Sequence, residues 1–438
     1  MTNPRQINGF SKLSKAEQRQ WLTDQFLDAG RRAEFTRFDA DDAALQDVLD
    51  NFSENTVANF PLPFGVAPNF VVNGKAYAVP MVIEESSVVA AASAAAKYWM
   101  RRGGFHAEVT AAEKLGQLHF RWSGSPERRA ALLPYLRTRV RARTQELTAR
   151  MEARGGGVRN IVWKHLPEVA PDCYQLLVSF GTADSMGANF INTVLEAYGA
   201  ELERWAADCP DLTADERQLE VIMAILSNNT PNCVVRAWVS SPIAAMNIPN
   251  SGVDAADFAR RFKFAVDIAR QDPYRAVTHN KGIMNGVDAV VLATGNDFRA
   301  IEAATHAFAA RDGQYRSLSR CEISNDTFHF ELTLPLAIGT VGGLTKLHPL
   351  ANLALDVLGR PGAHELMGVM AATGLAQNFA ALRSLVTTGI QKGHMKMHLQ
   401  NILSTLGANP NERRAAEDHF RGKTVSHHAA REFVEALR

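Results

Sequence analysis

The chain has 438 residues, 46% of them hydrophobic and 21% charged, which is enough to bury the cores of two or three domains. Its 47 lysines and arginines nearly balance 46 aspartates and glutamates, so the net charge of +1 excludes a global field that attracts nucleic acid or an anionic membrane. Four widely spaced cysteines without a CxxC pair indicate reduced thiols. The polar N-terminus and the lack of a long uncharged apolar run predict a soluble, cytoplasmic protein.

A hairpin followed by a helix is predicted in the first hundred or so residues. Two β-rich runs flank Asn73-Gly74 within residues 66–83, which is a strong hairpin signal. The alanine-rich run from Ser87 predicts a helix. Glu84 and Glu85 therefore lie at a strand-to-helix junction.

Residues 106 to about 240 are predicted to form a separate unit. Strands are expected near 115–122, 158–165, 174–181 and 232–239, and helices near 127–153 and 186–207. This βαββαβ order predicts a ferredoxin-like sheet, with an extra strand near 217–227 as an option. The unit has the character of an inserted domain.

The second half of the chain returns to helical patterns. Helices are predicted after Ser240 and over residues 350–386, with a β region near 326–339 between them. Beyond residue 393 the sequence becomes charged and polar, which is compatible with a C-terminal cap.

The usual nucleotide-binding motifs are missing from the sequence, since neither GxGxxG nor a Walker A motif occurs. The segment DSMGAN, residues 184–189, follows a predicted strand and begins a helix. Small residues at a helix N-terminus suit a pyrophosphate. An ordinary capped helix start is the alternative.

Lys281 stands among small and apolar residues in THNKGIMNGVDAVVLATGND, which runs from Thr278 to Asp297. Burying an unpaired cation is unfavourable, so this lysine either extends to solvent and pairs with a nearby acid or serves chemistry. Asp297 follows what resembles a strand-to-turn boundary. A buried lysine with carboxylates is an arrangement that stabilises an oxyanion.

Two histidines, His394 and His398, are spaced i and i+4 in GHMKMH. This spacing can hold zinc, but the glutamate of HExxH is replaced by methionine, so we expect no metal. A single histidine that protonates a leaving group is the other interpretation. His427-His428 is expected to be solvated.

Four segments in this order resemble the 3-hydroxy-3-methylglutaryl-coenzyme A (HMG-CoA) reductase family, and the similarity runs from about residue 10 to 400. They are EESSVVAAAS (84–93), DSMGAN (184–189), DPYRAVTHNKGIMNG with ATGND (272–297) and GHMKMH (393–398). The chain resembles the bacterial class II form, which lacks a membrane anchor.

The resemblance implies reduction of HMG-CoA by two nicotinamide hydrides to mevalonate and coenzyme A, or the reverse reaction. It implies that Lys281 stabilises the oxyanion and that Glu85 protonates the mevaldehyde oxygen. Asp297 would keep the lysine charged, and His394 would protonate the departing thiolate.

Substrate and cofactor contacts are implied in the same way. Arg275 would bind the HMG carboxylate, with Ser87 and Asn285 as hydrogen-bond partners. The nicotinamide nucleotide would contact Asp184, Met186, Gly187 and Asn189. The active site would be shared in an obligatory homodimer or higher oligomer, without nucleic acid or membrane.

The implied fold is α+β with three parts. A large, mainly helical domain for HMG-CoA and dimerisation would comprise residues 1–108 and 222–388. An inserted ferredoxin-like domain would bind NAD(P) over residues 109–221, and a helical flap over residues 389–438 would close the site.

Two positions depart from the family pattern. The family's ENxxG appears as ENTVA over residues 54–58, without the glycine. NADH-using relatives carry an acid shortly before the triple glycine at 155–157, whereas this chain has Thr148 and Arg150. These residues favour the 2′-phosphate of NADPH over NADH, although Arg150 as a solvated residue near Glu146 is the alternative.

Two other functional classes are compatible with the residues alone. Lys281 could form a Schiff base, as in an aldolase, and borohydride would trap that adduct. A regulator with an inactive site would bind coenzyme A without changing nicotinamide absorbance.

Overall fold

The computed structural model describes residues 5–28, 31–249, 251–387, 389, 399–400, 402–421, 423 and 425–438. The expectation of a mixed helix-and-sheet protein is confirmed. The strands are β1 (Phe64–Val72), β2 (Lys75–Val82), β3 (His106–Ala112), β4 (Lys114–Arg121), β5 (Gly157–His165), β6 (Cys173–Gly181), β7 (Glu220–Ser227), β8 (Cys233–Pro242), β9 (Ser319–Ser324) and β10 (Thr327–Pro335).

Helices alternate with these strands and hairpins along the described residues. They are α1 (Lys15–Phe26), α2 (Arg32–Thr36), α3 (Ala43–Asp50), α4 (Val88–Met100), α5 (Pro126–Glu152), α6 (Ala188–Asp208), α7 (Ala255–Gln271), α8 (Pro273–Ala293), α9 (Phe298–Ala309), α10 (Leu344–Leu347), α11 (Pro349–Val357), α12 (Ala363–Val386), α13 (Pro410–His419) and α14 (His427–Ala436).

The predicted hairpin is formed by β1 and β2, which pair antiparallel. Asn73 and Gly74 join the strands with φ angles of 49° and 81°, the conformation that a two-residue hairpin turn requires. The predicted helix α4 follows directly and buries Ala92, Ala96 and Trp99. Glu85 therefore lies at the junction of β2 and α4, as expected.

The βαββαβ unit consists of β4, α5, β5, β6, α6 and β7. Its strands form an antiparallel sheet in the order β5-β6-β4-β7. The expected strand at 232–239 is present as β8, but its assignment to this sheet was wrong, because β7 completes the sheet. β8 instead pairs with β3 and β10 in the sheet β3-β8-β10-β9. Local patterning identifies a strand but not its distant partner.

Residues 273–293 form one helix, α8, with Asp272 as its N-cap and Pro273 in its first turn. The predicted strand-to-turn boundary before Asp297 was therefore wrong, because this carboxylate follows a helix. The apolar run of α8 resembles a strand in sequence, because a buried helical segment does not show a regular pattern of polar and apolar residues. α8 packs against α12 and β2, so its inward face is covered.

Buried hydrophobic side chains form three clusters in the described residues. The largest lies between the hairpin, the sheet around β8, and the helices α4, α7, α8 and α12. A second lies between the β4–β7 sheet and α5 and α6. A third joins the C-terminal helical segments. No helix within the described ranges has the length and apolar character needed to cross a membrane.

Candidate active site

Lys281 lies in the middle of α8 and reaches the β2–α4 junction. Its Nζ donates a hydrogen bond to Glu85 Oε2 over 2.6 Å. Asn285, one turn further along α8, donates to the same oxygen over 3.4 Å. Residues i and i+4 share a helix face, so α8 presents an ammonium and an amide side by side to one carboxylate.

The Lys281–Glu85 pair is open to solvent within one chain. The side chains are 59% and 41% exposed, respectively. Of the two interpretations of Lys281 in the sequence, the structure matches a side chain that extends to solvent and pairs with an acid, and it does not show a desolvated lysine. The apolar neighbours Ile283 and Met284 are buried in the core, whereas Lys281 points away from it. The helical conformation explains the difference, because adjacent residues of a helix face different directions.

Asp297 is the N-cap of α9, and within the described ranges its ion pair is with Arg299 and not with Lys281. Its carboxylate accepts from the backbone N–H groups of Arg299 and Ala300 at 3.0 and 3.2 Å. The Arg299 guanidinium also donates to it over 3.0 Å. Among the described residues, the acid that pairs with Lys281 is therefore Glu85 and not Asp297.

Ser87 and Arg275, two of the predicted substrate-binding residues, lie at the starts of α4 and α8. Ser87 precedes α4 with a φ of 71°, a strained conformation for a residue with a Cβ, and such strain is concentrated at functional positions. Arg275 lies in the first turns of α8, and burial lowers the pKa of its guanidinium. No carboxylate of the described residues forms an ion pair with Arg275.

Arg275 and Lys281 do not point in the same direction from α8. Six residues of helix turn their side chains roughly 120° apart and separate them by about 9 Å along the axis. Next to Arg275, His279 is fully buried, and burial lowers the pKa of its imidazole to about 3. His279 is therefore neutral at about pH 7 and adds no second positive charge beside Arg275.

Three of the predicted cofactor residues, Asp184, Met186 and Gly187, follow β6 in the loop before α6, and Asn189 lies in the first turn of α6. Gly187 is the N-cap of α6 with a φ of 90°. Asp184 accepts a hydrogen bond from the N–H of Ala363 over 2.7 Å, so it caps the start of α12. Met186 is half-buried and Asn189 is exposed.

Thr148 and Arg150 differ in their positions on α5. Thr148 is buried and donates to the carbonyl of Gln145 over 3.3 Å, whereas Arg150 is exposed. Neither lines the cavity of about 330 Å³ beside the loop after β6. That cavity is lined by three other cations, which sequence reasoning missed: Lys114, Arg154 and Arg159.

His394 and the rest of GHMKMH lie outside the described residues. His427 begins α14 and is exposed. Within the described ranges, no cluster of three His, Cys, Asp or Glu side chains is arranged to hold a metal ion.

Comparisons with known proteins give one consistent match. The family model described as hydroxymethylglutaryl-coenzyme A reductase matches residues 15–399. A 3-hydroxy-3-methylglutaryl-coenzyme A reductase from Archaeoglobus fulgidus is 36% identical over 436 residues, covering 99% of this chain and 94% of the relative. A probable reductase of the same name from Borreliella burgdorferi is 30% identical over 363 residues, covering 83% of this chain and 80% of the relative.

Solved structures match equally well. The reductase from Streptococcus pneumoniae has a TM-score of 0.71 and 37% identity, and the match covers 98% of this chain and 99% of that one. A structure described as the class II enzyme of Streptococcus pneumoniae bound to NADPH in open conformations has a TM-score of 0.70 and 37% identity. That match covers 86% of this chain and 99% of the other.

The fold, the paired side chains and these matches define the class of protein as an NAD(P)H-dependent oxidoreductase that acts on a coenzyme A thioester. The chain belongs to the hydroxymethylglutaryl-coenzyme A reductase family, in its class II form. The resemblance drawn from the four sequence segments is confirmed.

Proposed function

We propose that this chain converts HMG-CoA to mevalonate and coenzyme A by two successive reductions centred on Lys281 and Glu85. The observation that carries the proposal is the 2.6 Å contact between the Lys281 ammonium and the Glu85 carboxylate, at the meeting point of two family segments. The reduced nicotinamide supplies one hydride to the same substrate carbon in each step. The reaction is reversible, and its place is in isoprenoid metabolism.

Lys281 acts on the oxygen of the substrate carbonyl. Hydride addition to a thioester leaves negative charge on that oxygen, and an ammonium directed at it stabilises the transition state more than the ground state. Glu85 holds the ammonium in place through their hydrogen bond. A dimer partner or a closed flap that covers this exposed pair would strengthen the interaction by excluding water.

Each hydride must be matched by a proton. In the first reduction the carbon–sulfur bond breaks, and His394 protonates the coenzyme A thiolate. In the second reduction the aldehyde carbonyl becomes a hydroxyl, and the Glu85–Lys281 pair delivers the proton to its oxygen. Asp297 is the second carboxylate of the proposed site, beside Glu85. In the single chain this carboxylate accepts hydrogen bonds from backbone N–H groups in the first turn of α9.

The HMG carboxylate binds to Arg275. This guanidinium is partly buried and has no acid partner in the described chain, so a substrate carboxylate supplies the missing counter-charge. Ser87 and Asn285 provide hydrogen bonds beside Glu85. Arg275 and Lys281 point in different directions from α8. One copy of α8 therefore does not direct both side chains at one substrate, and we expect the carboxylate and the reacting carbon to be bound by two copies of α8.

A homodimer supplies the second copy. Apolar side chains of the α10–α11 segment are exposed in the single chain, and they are Leu344, Leu347, Leu350, Leu353 and Val357. The same segment packs closely around Gly295, two residues before Asp297. A patch of this kind indicates a protein interface, and here it would bring the partner to the catalytic region.

NADPH is the favoured nucleotide, bound by the segment from Asp184 to Asn189 and by the cavity beside it. Arg154 and Arg159 line that cavity next to Gly155, and neither forms an ion pair within the described ranges. Unpaired guanidinium groups suit a 2′-phosphate. They replace Thr148 and Arg150 as the residues that we expect to recognise it.

We propose the three parts expected from the sequence, with one boundary moved. Because β7 (Glu220–Ser227) completes the inserted sheet, the nucleotide part extends over residues 109–227 instead of 109–221. Residues 1–108 and 228–388 carry the substrate residues, and 389–438 the flap with His394. The cytoplasm, where the coenzyme A thioester and reduced nicotinamide are both present, is the proposed location.

Stoichiometry tests the proposed function. Purified protein with HMG-CoA and excess NADPH should consume two nucleotides and release one free thiol for each mevalonate formed. Consumption of a single nucleotide, or thiol release without nucleotide oxidation, would show a different reaction.

A further inference from the structure

Lys114 is a buried cation that the roles described above do not use. It is the first residue of β4 and only 5% exposed. Its ammonium donates three hydrogen bonds: to Thr182 Oγ1 and the Ser185 carbonyl at 2.7 Å each, and to the Ile338 carbonyl at 3.3 Å. No carboxylate within the described ranges forms an ion pair with it. All three of its protons are therefore used to join two loops.

The two loops that Lys114 joins make further contacts with each other. One is the nucleotide loop, residues 182–187, and the other is the segment 336–340 after β10. The N–H of Thr340 donates to the carbonyl of Asp184 over 2.8 Å. Gly339 lies so close to the nucleotide loop that a Cβ there would collide with the backbone nitrogen of Met186.

The segment 336–340 also reaches the catalytic region. The N–H of Gly339 donates to Asn296 Oδ1 over 2.8 Å, and Asn296 directly precedes Asp297. A continuous set of contacts thus runs from Lys114 through the nucleotide loop and Gly339 to the end of α8, the helix that carries Lys281.

We propose that Lys114 is a positioning residue for hydride transfer, which fixes the nucleotide loop relative to Asp297 and the helix that carries Lys281. This inference rests on the proposed function, since it assumes that the loop holds the nicotinamide nucleotide. Hydride transfer depends steeply on the distance and angle between donor and acceptor carbons, so small displacements of this loop are costly.

The charge of Lys114 makes the arrangement sensitive to pH. Burial lowers the pKa of Lys114 to about 8. The titratable and charged groups that line the same cavity are Glu113, Arg154, Arg159, Cys233 and His364, and Asp184 lies in the loop that Lys114 contacts. Burial raises the pKa of the Cys233 thiol. As pH rises through the pKa of Lys114, the ammonium becomes an amine with two donors, and one of the three contacts is lost.

A bound nucleotide opposes this loss. Its phosphates bring negative charge to the cavity that Lys114 lines, and a nearby anion favours the charged form of the lysine. Nucleotide binding above the pKa should therefore be accompanied by proton uptake, and affinity should fall as the solution becomes more alkaline.

The test compares Lys114→Met with Lys164→Met, an exposed lysine on β5 of the same sheet. Lys114→Met should lower kcat/KM for NADPH by roughly 10–100-fold while KM for HMG-CoA changes little, because Glu85 and Arg275 are untouched. Lys164→Met should match the wild type. Lys114→Gln retains two donors and should recover part of the loss.

The pH profile separates positioning from a general loss of structure. In the wild type, kcat/KM for NADPH should fall above pH of about 8, and this alkaline limb of the pH profile reports a pKa of the free enzyme. The profile of Lys114→Met should lack the alkaline limb. An unchanged limb or unchanged kcat/KM in Lys114→Met would overturn the proposal. If Lys114→Met does not fold, the NADPH affinity of the wild type should be measured between pH of about 7 and pH of about 9, on either side of the pKa of Lys114. An affinity that does not change with pH over this range would overturn the proposal. Inactivity of the wild type would refute the proposed function separately.

Discussion

Lys281 and Glu85 lie 196 positions apart in the chain, yet their charged groups meet at 2.6 Å, where the middle of α8 faces the start of α4. Asn285 adds a second donor to the same carboxylate oxygen. The pair combines a cation for a developing oxyanion with an acid that orients it.

Replacing Lys281 with methionine should lower kcat for HMG-CoA reduction by roughly 10²–10³-fold, because the oxyanion loses its cationic partner. Binding of HMG-CoA, measured by calorimetry, should be largely retained. Lys263→Met is the control, since Lys263 also forms an ion pair on a helix, with Asp267 of α7. Normal turnover in Lys281→Met would exclude the assigned role.

Replacing Glu85 with glutamine should lower kcat by about 10²-fold for mevaldehyde as well as for HMG-CoA, because the variant keeps the shape but not the acid. Its exposed neighbour Glu84 provides a matched control, and Glu84→Gln should retain activity. Equal losses in the two variants would show that the junction, rather than the paired carboxylate, matters.

Replacing Arg275 with methionine should raise KM for HMG-CoA by roughly 10–100-fold, because a charge-assisted contact to the substrate carboxylate is lost. The control is Arg261→Met, whose guanidinium pairs with Asp257 on the surface of α7. Steady-state kinetics at saturating NADPH would measure both. A KM that stays at the wild-type value would place the carboxylate elsewhere.

Replacing Leu347 and Leu353 with aspartate should prevent dimer formation and remove activity, since charges would then occupy the exposed apolar patch. Light scattering after size exclusion would report the mass. Leu147→Asp, at a similarly exposed leucine of α5, should leave the dimer intact. An active monomer would contradict a shared site.

Acid should remove one interaction that anchors the N-terminal helices. The Arg19 guanidinium binds both oxygens of Asp39, at 2.6 and 2.9 Å, and this holds the pKa of the Asp39 carboxyl below its usual range. The contribution is present above the ordinary pKa and is lost as pH falls through the lowered one. Asp39→Asn should reduce the free energy of unfolding at neutral pH by about 1–2 kcal/mol.

Denaturant unfolding at several pH values would check this prediction. The difference between Asp39→Asn and the wild type should shrink toward zero in acid, where the wild-type carboxyl is also neutral. Asp356→Asn, which removes an exposed pair with Arg360, should have little effect at any pH. A difference that persists in acid would show that packing, not charge, is responsible.

Local signals in the sequence predicted the hairpin, α4 and the βαββαβ unit, because turn residues and periodicity act over a few positions. The same signals failed for α8, whose apolar run is compatible with a buried strand or a buried helix. They also failed for the partner strands of β8, which are set by pairing with β3 and β10.

For the site too, residues in local sequence motifs were predicted, and a residue defined by distant partners was missed. Glu85, Lys281 and Asn285 were identified through segments of the sequence, and the structure brings these three side chains together. Lys114 was missed because its partners, from Thr182 to Ile338, lie 68 to 224 positions away and form no local motif. Burial and hydrogen bonding of such a residue appear only in three dimensions.

The transfer of two hydrides to one carbon is the central claim, and an isotope measurement tests it most directly. Wild-type protein should be incubated with HMG-CoA and NADPH that carries deuterium at the transferable position. The account predicts mevalonate with two deuterium atoms on the former thioester carbon. Mevalonate with one deuterium, or no labelled product at all, would contradict it.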